Sequence, residues 1–423
     1  MKRIYKFIII TTISLVLCSC VGEEPNEIGY ITALGIDKSE NGFNYTIQFA
    51  NPTKISAGAS EEGGTGGDIV ENIVVEAPTI YSAIGHADSI VSKDLSLSHA
   101  KIIVVSEEVA REGLSGTTDV IARNNDIRPD VYIAVAENAG EYLEGVKPVI
   151  ELNPVKYYQL TYENKKGGPV PQNNAGDFYM AYTSGSRDCA LPLAGLAGGK
   201  EEEKGTDAGS GQGNGGENPT ENDKNKEAKP IEGGFENNSK NYLPGQAGVK
   251  VKNKGETMGI AVFREDTYIG ELGSRDADAY NILLNNIKNS KASFYDKSNP
   301  NVPITVSLEE KRVPKITIHK DEKNVEIGLK LEGELLSAPK EHQKTPDLNK
   351  QISEMVSEAT EEFLSRVYGE MGADLMGIRG KLKWYFLSNK TYGEYIKSFN
   401  AKEWTFSVET DDVLKSTGMT YYY

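Results

Sequence analysis

The stretch KIIVVSEEVAREGL (101–114) decides how this chain is read. Four consecutive β-branched apolar residues, Ile102, Ile103, Val104 and Val105, run without alternation. A strand open to water on one face would alternate with polar residues, so this run reads as a strand covered on both faces. Ser106 is then placed to cap a short helix. Glu107 and Glu108 offset the dipole in its first turn, and Gly113 ends it.

Working outward, ITALGID (31–37) and FNYTIQFA (43–50) flank a turn at Asn41-Gly42, and Phe43, Tyr45, Ile47 and Phe49 alternate onto one face. That pattern is a hairpin. IVENIVVEA (69–77) reads as a third strand, and Pro78 opens a helix with Ile80, Ile84, Ala87 and Val91 on one stripe. VYIAVAE (131–137) is a further strand. Later in the chain, MGIAVFREDTYIGEL (258–272) reads as a hairpin turning at Arg264-Glu265-Asp266, and DADAYNILLNNIK (276–288) as a helix. Three or four alternating strands follow between Val302 and Ala338. A helix capped by Thr345, with Pro346 at its first position, carries the stripe Ile352, Met355, Val356, Ala359, Phe363 and Val367. WTFSVET (404–410) is the closing strand. Helices and strands are interspersed without a regular βαβ rhythm. The class expected is therefore α+β, a multi-domain chain with mixed and antiparallel sheets and packed helices.

The first residues read as an export signal. Lys2, Arg3 and Lys6 precede the apolar run from Phe7 to Leu17, which is too short to span a bilayer comfortably. Leu17-Cys18-Ser19-Cys20 has the form of a bacterial lipobox, with cleavage after the small Ser19 and a diacylglycerol on Cys20. Cys18 is excluded as the lipidated residue by the bulky Leu17 before it. Two acyl chains are enough for stable anchoring. Cleavage would leave 423 − 19 = 404 residues, with only Cys20 and Cys189 as cysteines. An acylated Cys20 then leaves Cys189 as a free thiol.

The formal charge of −16 argues against nucleic acid, which selects basic stripes, and against broad adhesion to anionic lipid. From Leu196 to Ile231 the only apolar side chains between those ends are alanines, so this tract is expected to be disordered. Four segments follow: a signal at 1–19, an N-terminal region at 20–195, a low-complexity linker at 196–250 and a C-terminal region at 251–423.

A search for chemistry returns little. His86, His99, His319 and His342 are scattered, none at metal-ligand spacing with a partner. Neither a nucleophile elbow nor a phosphate-binding P-loop is present, and the glycine-rich GGTGGD (63–68) lacks a lysine. Glu107 and Glu108 suit dipole compensation better than acid–base work, and Cys189 has no histidine near it in sequence. Trp384, Tyr385 and Phe386 read as domain core. No catalytic, cofactor or metal residue is assigned, and no enzyme activity is expected.

Resemblance adds what periodicity cannot. The segment LSLSHAKIIVVSEEVAREGLSGTTDVIARNNDIRPDVYIAVAENAGEYL (95–143) resembles the Ger(x)C family, the lipoprotein C subunits of spore germinant receptors. The shared positions are His99, Ile102 to Val105, Glu107, Ala110, Arg111, Gly113 and Leu114, then Arg123, Asp126 and Arg128. The opening NEIGYITALGIDKSENGFNYTIQFANP (26–52) is similar to the family's start, with Gly35, Ile36, Asp37, Gln48, Asn51 and Pro52 in place. MGIAVFREDTYIGEL and ADLMGIRGKLKWYF resemble its C-terminal region. Val21 departs from the family's usual tryptophan after the lipid cysteine, and the low-complexity tract is long for the family.

The resemblance implies three α+β domains and a non-enzymatic lipoprotein on the outer face of the spore inner membrane. It implies assembly with two membrane subunits of a nutrient germinant receptor, one of them transporter-like, and no cofactor. The rival reading, a solute-binding lipoprotein of a transporter, would show two lobes of parallel strands, which the hairpin-rich pattern disfavours.

Overall fold

The computed structural model describes residues 4–5, 27–50, 70–124, 126–148, 151, 153–163, 168–197, 241–246, 254–296, 299–338, 346–411 and 413–416. Strands β1 (Ile28–Ser39), β2 (Gly42–Ala50) and β3 (Val70–Ala77) form an antiparallel meander. At the first turn Gly42 has φ +145°, and a Cβ there would lie 2.9 Å from the Ala77 carbonyl oxygen, so only glycine fits. β4 (Asp94–Ser96) pairs in parallel with the start of β1.

The centre of the sheet is parallel. β5 (Ile102–Ser106) lies beside β1, β6 (Tyr132–Ala136) beside β5, and β7 (Ala190–Leu196) beside β6. The antiparallel hairpin β8 (Gly255–Arg264) and β9 (Thr267–Leu272) completes the sheet. The path is β3-β2-β1-β5-β6-β7-β8-β9. Segments on either side of the low-complexity tract thus share one sheet.

Helices cover both faces. Ile103 and Val105 pack with Ala83 of α1 (Ile80–Asp88), Val109 of α2 (Glu107–Glu112) and Phe178 of α6 (Ala175–Ser184). Ile102 and Val104 face the other way, onto Tyr142 and Leu143 of α4 (Ala139–Gly145) and Tyr158 and Tyr162 of α5 (Pro154–Glu163). Between α2 and β6 runs α3 (Ser115–Arg123). All five residues of β5 are buried, as the unbroken apolar run requires. The expected caps hold as well: Ser106 Oγ accepts from Val109 N, and Gly113 follows the last turn at φ +112°.

The second sheet has the order β10 (Ser290–Asp296), β11 (Asn299–His319), β12 (Asn324–Ser337) and β13 (Thr405–Thr410), with β14 (Leu414–Ser416) also paired to β12. Its first three strands are antiparallel, and β13 and β14 run parallel to β12. Along β12, Val325, Ile327, Leu329 and Leu331 are buried while Glu326, Lys330 and Glu334 are exposed. One face is wet.

Two helices fill the space against the buried face. They are α7 (Ser274–Leu283) and α8 (Pro346–Leu364), the latter continued by a π-helical segment at Ser365–Met371. The short α9 (Ile378–Leu382) and α10 (Asn389–Ile396) follow. Strand β8 joins the two halves. Ala261 and Phe263 belong to the core of the first sheet, and Ile260 and Val262 to the core of the second.

Several details differ from the sequence reading. The helix expected to reach residue 288 ends at Leu283, and Asn285 takes a left-handed conformation with φ +61°, which asparagine tolerates better than most residues. On α8, Ala359 is only half-buried. Thr360 takes the inner position and donates its hydroxyl to the Val356 carbonyl at 2.8 Å. Two parts of the 196–250 linker segment are structured. Leu196 closes β7, and Asn241–Gln246 is held by Ser274 N donating to Tyr242 O at 2.8 Å and Arg275 N donating to Asn241 Oδ1 at 3.0 Å. Tyr242, Leu243 and Pro244 supply the side chains that the glycine-rich core of the tract lacks. Apart from Ala197, the remainder of that tract lies outside the described residues, as do the signal segment except Ile4 and Tyr5, and Thr345.

Candidate functional site

The residues singled out from sequence do not converge. Cys20, Ser19, the GGTGGD loop and His342 lie outside the described residues. His86 is exposed at the end of α1, His99 packs at a tilt against Tyr30 with ring centroids 4.2 Å apart, and His319 Nε2 lies 3.3 Å from Glu326. Glu107 is 3.1 Å from Arg111 one helical turn along, a surface pair. Burial pushes the Cys189 thiol up to about 12, so it is not a thiolate near neutral pH. Among the described residues, no group of three or more His, Cys, Asp and Glu side chains is placed to hold a metal ion.

The aromatic trio splits. Trp384 is 88% exposed and Tyr385 50%, whereas Phe386 packs against Tyr392 and Tyr395 of α10. The expectation of a common core position is corrected. Only one of three adjacent side chains on a tight turn can face inward, and Phe386, with no polar atom, takes that place.

What does converge is a buried charge cluster between the two sheets. Asp188, just before β7, accepts from Asp374 N at 2.7 Å and Glu265 N at 3.1 Å, and its own N–H donates to Asp374 O at 3.0 Å. Arg379 of α9 donates Nη2 to Asp188 Oδ1 at 2.7 Å and Nε to Asp374 Oδ2 at 3.3 Å. Asp374 also accepts from Ile378 N at 2.7 Å, Arg379 N at 2.8 Å and the Tyr368 hydroxyl. Asp374 therefore holds the free N–H groups that open α9, while Arg379 ties that helix back to the first sheet.

Burial raises the Asp374 carboxyl above its ordinary value, opposed by Tyr368, the two backbone donors and Arg379. Burial also acts against the Arg379 charge, but Asp188 and Asp374 outweigh it and its pKa is raised. Every carboxylate oxygen in the cluster is engaged by protein donors. Its chemistry is that of a lock, with no free base or nucleophile.

The same region is tied at the hairpin turn. Asp266 O accepts from Leu114 N at 2.9 Å, and Asp266 Oδ2 accepts from Ser115 N at 3.3 Å, so the turn of β8–β9 caps α3. A Cβ on Gly113 would lie 2.8 Å from Asp266 Oδ2.

Two residues of the opening strands have comparable roles. Asp37 accepts from Ala139 N and Gly140 N at 2.8 Å each, capping α4. Buried Gln48 donates to Leu143 O at 3.2 Å and accepts from the Tyr158 hydroxyl at 2.8 Å.

A cleft of about 540 Å³ opens at the C-terminal end of β6, with Glu107, Glu137, Glu141, Glu271 and Lys254 on its walls. Burial and then the Glu107 charge raise the Glu271 carboxyl. A second cleft of about 390 Å³ lies over the charge cluster, between Tyr182, Arg187, Glu265 and Arg379. Neither brings together a nucleophile and a base. The lock residues Asp188, Asp374 and Arg379 were not singled out from sequence, although Asp374 and Arg379 both lie in ADLMGIRGKLKWYF.

The chain is similar to known proteins over both of its halves. The family described as "Spore germination protein N-terminal domain" matches residues 22–196. The family described as "Spore germination B3/GerAC like, C-terminal" matches residues 258–418. Spore germination protein KC of Bacillus subtilis (strain 168) is 31% identical over 118 residues, 27% of this chain and 28% of that one. YfkR of the same strain, provisionally named for spore germination, is 25% identical over 137 residues, 32% of this chain and 36% of its own length. The matches thus span about a third of those relatives. The crystal structure of the GerBC protein aligns with 90% of this chain and 96% of its own, at 13% identity and a TM-score of 0.47. With both the N-terminal and the C-terminal domain of one family matched in order, the chain belongs to the Ger(x)C family of spore germination proteins.

Proposed function

We propose that the chain is the lipoprotein subunit of a spore nutrient germinant receptor, cleaved after Ser19 and acylated on Cys20. It acts on the outer face of the spore inner membrane. It works by presenting a rigid surface to two membrane subunits, one of them transporter-like, and not by catalysis. The observation that carries this reading is the order of elements along the chain. A lipobox ending at Cys20 stands directly before the N-terminal germination domain that starts at residue 22. Among the described residues no helix is long and apolar enough to cross a membrane, and in this reading the two acyl chains on Cys20 supply the anchor. The buried lock of Asp188, Asp374 and Arg379 supports a scaffold role, since it fixes the two sheets as one body.

The test is Cys20→Ala. The expected outcome is loss of fatty-acid labelling, loss of the chain from the spore membrane fraction, and loss of its co-purification with the membrane subunits. Labelled fatty acid on the variant, or full retention in the membrane, overturns the reading.

A further inference from the structure

The segment KWYFLSN (383–389) is built as a turn with its apolar side chains outside. Lys383–Tyr385 form a single 3₁₀ turn between α9 and α10. Phe386 is held inward by Tyr392 and Tyr395, with ring centroids 5.9 and 5.1 Å away, and Lys320 Nζ lies 5.2 Å over its outer face. Ser388 Oγ accepts from Thr391 N at 3.2 Å and fixes the start of α10. With Phe386 pinned, Trp384 and Leu387 project into solvent at 88% and 109% of full exposure, with Tyr385 half-exposed beside them. Three large side chains on one exposed turn are not explained by folding. An apolar patch on a soluble surface marks an interaction.

The charge around the turn says what it meets. The whole chain carries −16, but residues 378–402 hold Arg379, Lys381, Lys383, Lys390, Lys397 and Lys402 against the single acidic Glu394. Arg379 is used by the lock, and Lys381 Nζ donates to the Met376 carbonyl at 2.6 Å. Lys383, Lys390 and Lys397 are exposed, and among the described residues they form no ion pair. Tryptophan and tyrosine favour the headgroup level of a bilayer, where an apolar ring meets a wet edge, and lysines beside them meet anionic phosphates.

We propose that this turn is a membrane-surface contact that inserts Trp384 and Leu387 among the headgroups of anionic phospholipid. It does not rest on the lipid anchor at Cys20, and the two would together hold the ectodomain at two points. The contact is local. The negative remainder of the chain accounts for why composition alone points away from lipid.

The protein carries its own reporter. Of its two tryptophans, Trp404 is 4% exposed and Trp384 is the exposed one. The mature chain from residue 20 onward, made without lipid, is mixed with phosphatidylglycerol/phosphatidylcholine vesicles. The expected result is a blue shift of Trp384 emission, quenching by brominated lipid, and co-sedimentation that weakens with added salt. The double variant Trp384→Ser/Leu387→Ser should lose co-sedimentation by at least about tenfold with an unchanged circular dichroism spectrum. Lys383→Gln/Lys390→Gln, which leaves the apolar side chains in place, should weaken binding to anionic vesicles alone.

No spectral shift and no co-sedimentation with anionic vesicles overturns the proposal, as does equal binding to pure phosphatidylcholine vesicles. If the serine variant sediments like the parent but fails to co-purify with the membrane subunits, the turn is a protein contact and the lipid assignment falls.

Discussion

The two sheets solve the same burial problem in opposite ways. In the first, β5 is buried at every residue because helices cover both faces. In the second, β12 alternates, with Ile327 and Leu329 inside and Glu326 and Lys330 outside. A polar change therefore has nowhere to go on β5, whereas β12 offers a solvent position at every second residue. The contrast teaches that strand position predicts tolerance only once the number of covered faces is known.

The largest test of that contrast is Val104→Asp. Val104 is fully buried between α4 and α5, so an unpaired carboxylate there should cost more than about 4 kcal/mol and leave no folded chain. Spores carrying it should lose the response to nutrient and keep the response to calcium dipicolinate, read as loss of optical density. A Val104→Asp chain that still folded and supported germination would mean that the first sheet is open on one face.

Next in size is Arg379→Ala, which strands Asp188 and Asp374 without their cation. About 3–5 kcal/mol should be lost. Because Arg379 spans the two halves, calorimetry should show whether the sheets melt separately once the lock is gone. A single transition at the parent temperature would show that the cluster is dispensable.

A smaller effect should depend on pH. Burial lifts the Asp278 carboxyl on α7 from 3.8 to about 7. The folded chain then holds a proton that the unfolded chain releases, so this contribution to stability fades as pH rises through about 7. Asp278→Asn should accordingly raise the melting temperature at about pH 8, with the gain shrinking towards about pH 4. An equal gain at both pH values would exclude ionisation as the cause.

The smallest change is expected from Lys330→Asp on the wet face of β12. It removes a surface pair with Asp411 at 2.8 Å and should cost no more than about 1 kcal/mol in chemical denaturation.

Much of the fold was legible where the signal is local. The run Ile102–Val105, the Ser106 cap and the alternation along Val325–Leu331 each state their surroundings within a few residues. The hairpin at 258–272 was equally clear, but its place at the edge of the first sheet was not, because pairing with β7 reaches back across the tract. Nor did the sequence reading identify the parallel centre of that sheet. The lock could not be read for the same reason, since Asp188 and Arg379 are separated by 191 residues, and the local Asp374–Arg379 pair gives no sign of that distant partner. The exposure of Trp384 was misread because composition cannot say which of three adjacent aromatic residues a turn will pin inward.

The double allegiance of β8 has a consequence for how the chain is made. During synthesis β7 emerges with its outer edge unpaired, and it stays so until residues 255–272 arrive. The first sheet cannot be finished vectorially from its own half, and the second core has no floor until the same strand docks. Lengthening the intervening tract adds only about 0.6 kcal/mol of closure entropy per doubling, so its length is nearly invisible to stability. It sets the interval over which an open β edge must be kept from other chains, a demand that falls on the chain while it is being made and not on the native state.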